Sequence, residues 1–377
     1  MRSGTVLHPR SPSSPLPSAD WRRALPEARR RRLRRWLWSG AGLTFLILVV
    51  GGITRLTQSG LSIVDWDPIV GVVPPLSHAE WQEAFARYRQ FPEYQKLRQG
   101  MTLGEFQFIF FWEYLHRLLA RAIGLVFLVP FLVFWRRGYF SPPLLRRVLV
   151  LFALGALQGF MGWFMVKSGL VDDPRVSHFR LAAHLGIALA IFGYCLWLVR
   201  ELSVGPAALR AAEGRPPAAL ARWLYALGAL LALQILWGAF VAGLDAGLLY
   251  NTFPEMGGRL IPGTAWQLQP VLLNLVENPA TVQWMHRLLG TALLLASLGF
   301  VLSVRGAGVD ARALRPGRAF ALLVVAQYAL GVATLLLVVP VALGVLHQAL
   351  AVVMLGVWLV WLHRVRVHAL SAAAAAP

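Results

Sequence analysis

Glu113-Tyr114-Leu115-His116-Arg117-Leu118-Leu119 and Gln283-Trp284-Met285-His286-Arg287-Leu288-Leu289 share an identical His-Arg-Leu-Leu core, and each lies within a long apolar run. A segment met twice predicts that functional positions occur twice. Working outward from this pair, Gln158 with Gly162 on the next run parallels Gln327 with Gly331, and on the run after that His184 parallels His347. Apolar stretches of span length recur at 36–54, 107–135, 147–166, 178–199, 222–243, 282–303, 319–339 and 341–362. Each is close to the roughly 20 residues that a bilayer-crossing helix needs. The pattern predicts an all-α integral membrane protein, with eight transmembrane helices arranged as two pseudo-symmetric four-helix bundles.

Composition agrees. Of the 377 residues 57% are hydrophobic and 14% charged, and the mean hydropathy is positive, outside the range of soluble globular chains. The net charge of +19 does not describe a nucleic-acid binder, because the arginines gather in the N-terminal stretch, in alternate loops and at the C-terminus. Loops 136–147, 200–222 and 305–318 carry Arg136, Arg137, Arg146, Arg147, Arg200, Arg210, Arg215, Arg222, Arg305, Arg312, Arg315 and Arg318. The positive-inside rule then places both termini in the cytoplasm and turns loops 55–106 and 244–281 outward. Cys195 is the only cysteine, which excludes an internal disulfide and a thiolate metal cage.

Residues 1–35 form an Arg-rich tail. Its long basic run without a small-residue cleavage site argues against a secretory signal. Asp20 and Glu27 weigh against a mitochondrial presequence, so a cytoplasmic tail is expected. The remaining organisation is an N-terminal half over 36–200, a linker over 201–221, a C-terminal half over 222–363 and a tail over 364–377. Trp66, Trp81, Phe85 and Tyr94 give loop 55–106, with its amphipathic stretch around 78–99, something to bury, so this loop is expected to fold as a cap.

An imidazole within a bilayer must find a partner, and four of them at duplicated positions point to function. The second and fourth helices of each half enter from the outer side. His116 and His184 therefore lie about nine and six residues past their entry points, and His286 and His347 about four and six, which sets each pair at similar depth. Such a pair suits the two axial positions of a haem iron. Zinc or copper would require further strong ligands, and only Glu113, matched by Gln283, stands close by. Four-helix bundles are suitable hosts for porphyrins. Arg117 and Arg287 are candidates to pair with haem propionates; the alternative is snorkelling or interhelix hydrogen bonding. His178 points to a different face from His184, and His8, His78, His363 and His368 lie in tails or loops.

The halves differ at one telling place. Glu113, three residues before His116, lies on nearly the same helix face. Gln283 occupies the matching position but cannot exchange a proton, so Glu113 is the candidate for acid–base work or for stabilising a cationic intermediate. The alternative is an ion pair with Arg117.

Further segments carry a resemblance. Leu56-Thr57-Gln58-Ser59-Gly60-Leu61-Ser62, Val64-Asp65-Trp66, Gly71-Val72-Val73-Pro74-Pro75-Leu76-Ser77, Pro92-Glu93-Tyr94-Gln95-Lys96, Gly100-Met101-Thr102-Leu103, Ser177-His178-Phe179-Arg180-Leu181-Ala182 and Asn251-Thr252-Phe253-Pro254, with the histidine segments, resemble the haem A synthase family in its alphaproteobacterial and mitochondrial class. The likeness runs from about residue 40 to 362. It implies oxidation of the C8 methyl group of haem O, through an alcohol, to the formyl group of haem A for terminal oxidase assembly. By that resemblance His116 and His184 hold the substrate haem with Glu113 as the essential carboxylate, and His286 and His347 bind a haem B cofactor. Two departures stand out: Ala120 replaces a glycine common in the family, and the outer loop lacks the cysteine pair of many Gram-positive relatives.

The resemblance further implies haem O delivered by a haem O synthase, assembly factors of the terminal oxidase and a possible homo-oligomer as partners, besides membrane lipid. A bacterial inner membrane is expected before a mitochondrial one. The competing functions are a two-haem b-type quinol oxidoreductase, which needs no acid at position 113, and a transporter with a histidine proton relay, which holds no haem.

Overall fold

The computed structural model describes residues 25–65, 71–169, 176–203, 218–304 and 311–374. Trp66 of the expected cap, the tail before Leu25 and most of the linker lie outside these residues. Among the described residues eight helices are long and apolar enough to cross a membrane: α1 (Glu27–Leu56), α4 (Leu103–Arg136), α5 (Pro142–Gly169), α6 (His178–Ser203), α7 (Ala218–Gly243), α9 (Pro279–Ser303), α10 (Ala311–Leu336) and α11 (Val341–Ala374). Helices satisfy their own backbone hydrogen bonds, which lipid cannot do for them.

Several helices run past the apolar stretches that announce them. The first starts at Glu27, whose carboxylate pairs with Arg30 at 2.6 Å and Arg34 at 3.1 Å. The last continues through Ala374. Arginine, leucine and alanine are strong helix formers, so the helix outlasts the hydrophobicity. At its start α4 is extended by a capping box: Glu105 N–H donates to Thr102 Oγ1 and Thr102 N–H donates to Glu105 Oε2, which satisfies two otherwise orphaned donors.

In the first half α1 packs on α4 and α6, and α5 on α6. In the second, α7 packs on α9, α9 on α10 and α10 on α11. The seam between the halves brings α11 against α1 and α6, and α6 against α7. Each half has a dense core. Leu33, Leu37, Leu144, Leu198 and Leu202 build one, and Leu224, Leu227, Phe300, Phe320 and Trp361 the other. Both lie toward the end where the arginines gather, called here the arginine face. A third, smaller core of Phe85, Tyr88, Phe106 and Phe110 lies at the opposite end, the cap face.

The cap is built from α2 (His78–Tyr88) and α3 (Pro92–Leu97). A second capping box, Ser77 with Glu80, starts α2. Its apolar side lies on the early turns of α4, where Phe85 stacks on Phe106 at 5.0 Å between ring centres and Trp81 meets Phe110 edge-on at 5.0 Å. The extension of α4 is therefore the post on which the cap rests. On the other half, α8 (Asn274–Glu277) and two short 3₁₀ turns close the cap face, with buried Asn274 tied to Leu268 through both its N–H and its carbonyl.

Candidate functional site

The repeated segments sit at the cap-side ends of α4 and α9, and each fastens the loop that crosses above it. In the first half Glu113 Oε2 accepts from Ser62 Oγ at 2.7 Å and from Ile63 N–H at 2.8 Å, while Oε1 accepts from Arg117 Nη2 at 2.6 Å. Arg117 also donates to the carbonyls of Asp65 and Ile63. Glu113 is buried, with 3% of its surface exposed. Its surroundings are not an apolar pocket but a set of three converging donors, so the ion pair with Arg117 and a site role occur together. In the second half Gln283 Nε2 donates to Tyr250 O at 2.9 Å, and Arg287 donates to Tyr250 O and Thr252 O, both at 2.8 Å. Both arginines expected at propionates therefore hold loop carbonyls.

All four histidines occupy a repeated setting in which the ring lies over a glycine on the neighbouring helix. A Cβ built on Gly51 of α1 would come within 3.2 Å of His116 Nε2, and one on Gly238 of α7 within 3.2 Å of His286 Cε1. On the third helix of each half, a Cβ on Gly162 would lie 3.3 Å from His184 Cε1, and one on Gly331 2.8 Å from His347 Cε1. Only a residue without a side chain lets the helix backbone approach the ring so closely. Glutamines line the same space. Gln158 Nε2 is 3.3 Å from His184 Nε2, Gln234 Nε2 is 3.3 Å from His286 Nε2, and Gln327 Nε2 donates to His347 O at 2.9 Å.

His286 and His347 have ring centres 6.4 Å apart with planes inclined at 72°. Two imidazoles from facing helices at such a separation could hold the iron of one haem between them. His184, His286 and His347 each have a buried Nδ1 without a hydrogen-bond partner. Such a nitrogen is costly inside a protein unless something takes it up. Among the described residues no three His, Cys, Asp or Glu side chains gather as a metal cluster. The donor set fits a haem, which brings four equatorial nitrogens of its own.

His178 is placed elsewhere, buried at the seam beside Phe240 of α7, with its Nε2 3.9 Å from Glu277 Oε2. His363 packs edge-on against Trp197. Ser62 and the Ile63 N–H, Gly51, Gly238 and Gln234 are site residues that sequence reading misses. Ser62 lies far from Glu113 in the chain, and single glycines in an apolar helix carry no local signal.

Within the cap lies a second buried acid. Glu93, 5% exposed, faces Arg98 at 3.5 Å, and Arg98 in turn donates to Gln58 O at 2.9 Å. Burial pushes the Glu93 carboxyl up to about 7; Arg98 opposes this shift and the negative charge of Glu113 adds to it.

Such a molecule is a multi-pass helical membrane protein with eight long apolar helices among the described residues. A family model described as COX15-CtaA, cytochrome oxidase assembly protein, matches residues 34–359, and the chain belongs to that family. It is 50% identical over 334 residues to the heme A synthase of Rhodospirillum centenum, covering 88% of this chain and 87% of the relative. It is 47% identical over 333 residues to that of Sinorhizobium medicae, covering 88% and 89%, and 46% identical over 314 residues to that of Nitrosospira multiformis, covering 83% and 88%.

Proposed function

We propose that the chain is a haem A synthase, an oxidoreductase that converts the C8 methyl group of haem O through an alcohol to the formyl group of haem A. The observation that carries this reading is the inequality of two otherwise matching sites: a carboxylate at position 113 where the second half has an amide. Haem O, the substrate, is assigned to His116 and His184, and haem B to His286 and His347. Haem B when bound supplies one-electron chemistry. The chain's own residues do the rest. Gly51 and Gly162 let the backbone approach the rings, and the apolar walls exclude water. Glu113, fixed by Ser62, Ile63 N–H and Arg117, presents a negative charge of set position toward the substrate half, where it accepts a proton or stabilises developing positive charge. Arg117 and Arg287 fasten the loops and add positive charge at the cap-side edge, where propionates would lie.

The arginine face is assigned to the cytoplasm with both termini, and the cap face to the outer side of a bacterial inner membrane. Haem O reaches the first half from a haem O synthase, and the product is taken up in terminal oxidase assembly. Replacing Glu113 by Gln separates this function from pure electron transfer by a two-haem quinol oxidoreductase. Both haem spectra should survive the change, while haem A in the extracted pigment should vanish; continued haem A formation would remove Glu113 from the chemistry. Purified protein without a Soret band would instead favour a transporter.

A further inference from the structure

On the arginine face, where α1 and α6 of the first half meet α10 and α11 of the second, an apolar groove of about 670 Å³ opens along the seam. Trp38, Phe192, Leu196 and Val353 line it, and Trp38 and Val353 are exposed. Its volume lies in the roughly 300–1,000 Å³ range of single-ligand sites. Two guanidinium groups, Arg315 and Arg364, form part of the same wall. They stand at the ends of Leu314–Leu336 and Val341–Val365, the portions of α10 and α11 long and apolar enough to cross a membrane. Among the described residues neither arginine has a carboxylate partner. Arg200, also at a helix end, is repelled by Arg364 and has a buried Nε without a hydrogen-bond partner. The nearby acid Glu201 is already taken by Arg147 and Trp197.

Cations gathered without counter-charge above an apolar furrow complement one kind of molecule, an amphiphile with an anionic head and a long hydrocarbon tail. Water cannot fill the furrow favourably, and among the described residues no carboxylate pairs with Arg315 or Arg364 at its rim. We propose that this groove is a specific site for an anionic phospholipid, its acyl chain along Phe192, Leu196 and Val353 and its phosphate between Arg315 and Arg364. A lipid seated there touches helices of both halves and so fastens the seam on the side opposite the Arg55–Asp245 ion pair, which joins α1 to the end of α7 at 2.8 Å.

The test uses the full-length protein with its haems, purified in mild detergent, with phosphatidylglycerol and phosphatidylcholine of equal chain length as probes. Native mass spectrometry should show one phosphatidylglycerol retained and no comparable phosphatidylcholine, and phosphatidylglycerol alone should raise Tm. In an Arg315→Gln, Arg364→Gln variant retention should fall roughly tenfold or more. If that variant does not fold, Val353→Trp keeps both arginines and obstructs the furrow, and it should also lose the retained lipid. Equal retention of the two lipids, or retention unchanged in the folded variants, overturns the site. So does arginine-dependent retention of a carboxylated porphyrin in place of the phospholipid.

Discussion

Set side by side, the two cap-side sites use the same scaffold to opposite electrical effect. At position 113 a carboxylate collects three donors, from Ser62, Ile63 and Arg117. At position 283 an amide gives its own N–H to Tyr250 O, and Arg287 gives to the same oxygen. Both arrangements hold a loop down over a histidine. The first alone buries a carboxylate, and the Arg117 pair offsets part of the cost of burying it. A bundle repeated with two histidines in each half is thus divided by a single side chain, a carboxylate in one half and an amide in the other, and the proposed function rests on that difference.

The bluntest way to break this comparison is to remove the histidines. His286→Ala or His347→Ala should abolish binding of haem B and leave the substrate-side pigment, whereas His116→Ala or His184→Ala should do the reverse. In each case about half of the haem is lost, as read from absorbance and chromatography of extracted haems. Loss of both haems from any single change would contradict separate sites.

Exchanging the divided position comes next. Glu113→Gln should lower haem A formation at least about a hundredfold, the usual scale of a positioned acid or base, with haem content near normal. Its new amide N–H would face either the Ile63 N–H or the Arg117 guanidinium, so the 62–65 turn should loosen as well. Gln283→Glu should cost far less activity, because no proton exchange is asked of that site; an equal loss would mean that both halves act alike.

A smaller effect is expected from the glycines beneath the rings. Gly331→Ala puts a methyl group 2.8 Å from His347 Cε1, inside contact distance, whereas Gly162→Ala leaves 3.3 Å to His184. The first should shift the haem B spectrum and reduction potential and reduce its occupancy; the second should perturb the other haem more mildly. The reverse ranking would show that the second half yields more easily than the first.

The mildest distinction concerns the cap, which only the first half carries on α2 and α3. Folded Glu93 keeps its proton up to about 7, whereas an unfolded glutamate releases it near 4.3. Between those values the folded chain binds the extra proton, so stability from this group is full below the lower value and is lost as pH rises toward 7. Glu93→Gln escapes that loss. Its Tm advantage over the parent should grow by a few degrees between pH 5.5 and 8; a constant gap would show that Glu93 titrates as an ordinary surface acid.

The sequence makes the spans and the four histidines legible because apolarity and duplication are long-range signals. Helix ends are less so. Thirteen residues separate Leu103 from His116, whereas six or seven separate His178, Pro279 and Val341 from their histidines. The excess belongs to the capped extension that carries the cap, and hydropathy cannot see it, although Thr102 with Glu105 and Ser77 with Glu80 spell the capping boxes. The partners of Glu113 are hidden for another reason: Ser62 and Ile63 reach it only through the turn at Gln58, whose φ of 51° lies in the left-handed region. Backbone geometry of that kind leaves little trace in composition.

The 6.4 Å separation of His286 and His347 bears on how the protein matures. If the two rings hold one haem as proposed, a bundle that sets them 6.4 Å apart by its own packing would spend little affinity on ordering itself around it.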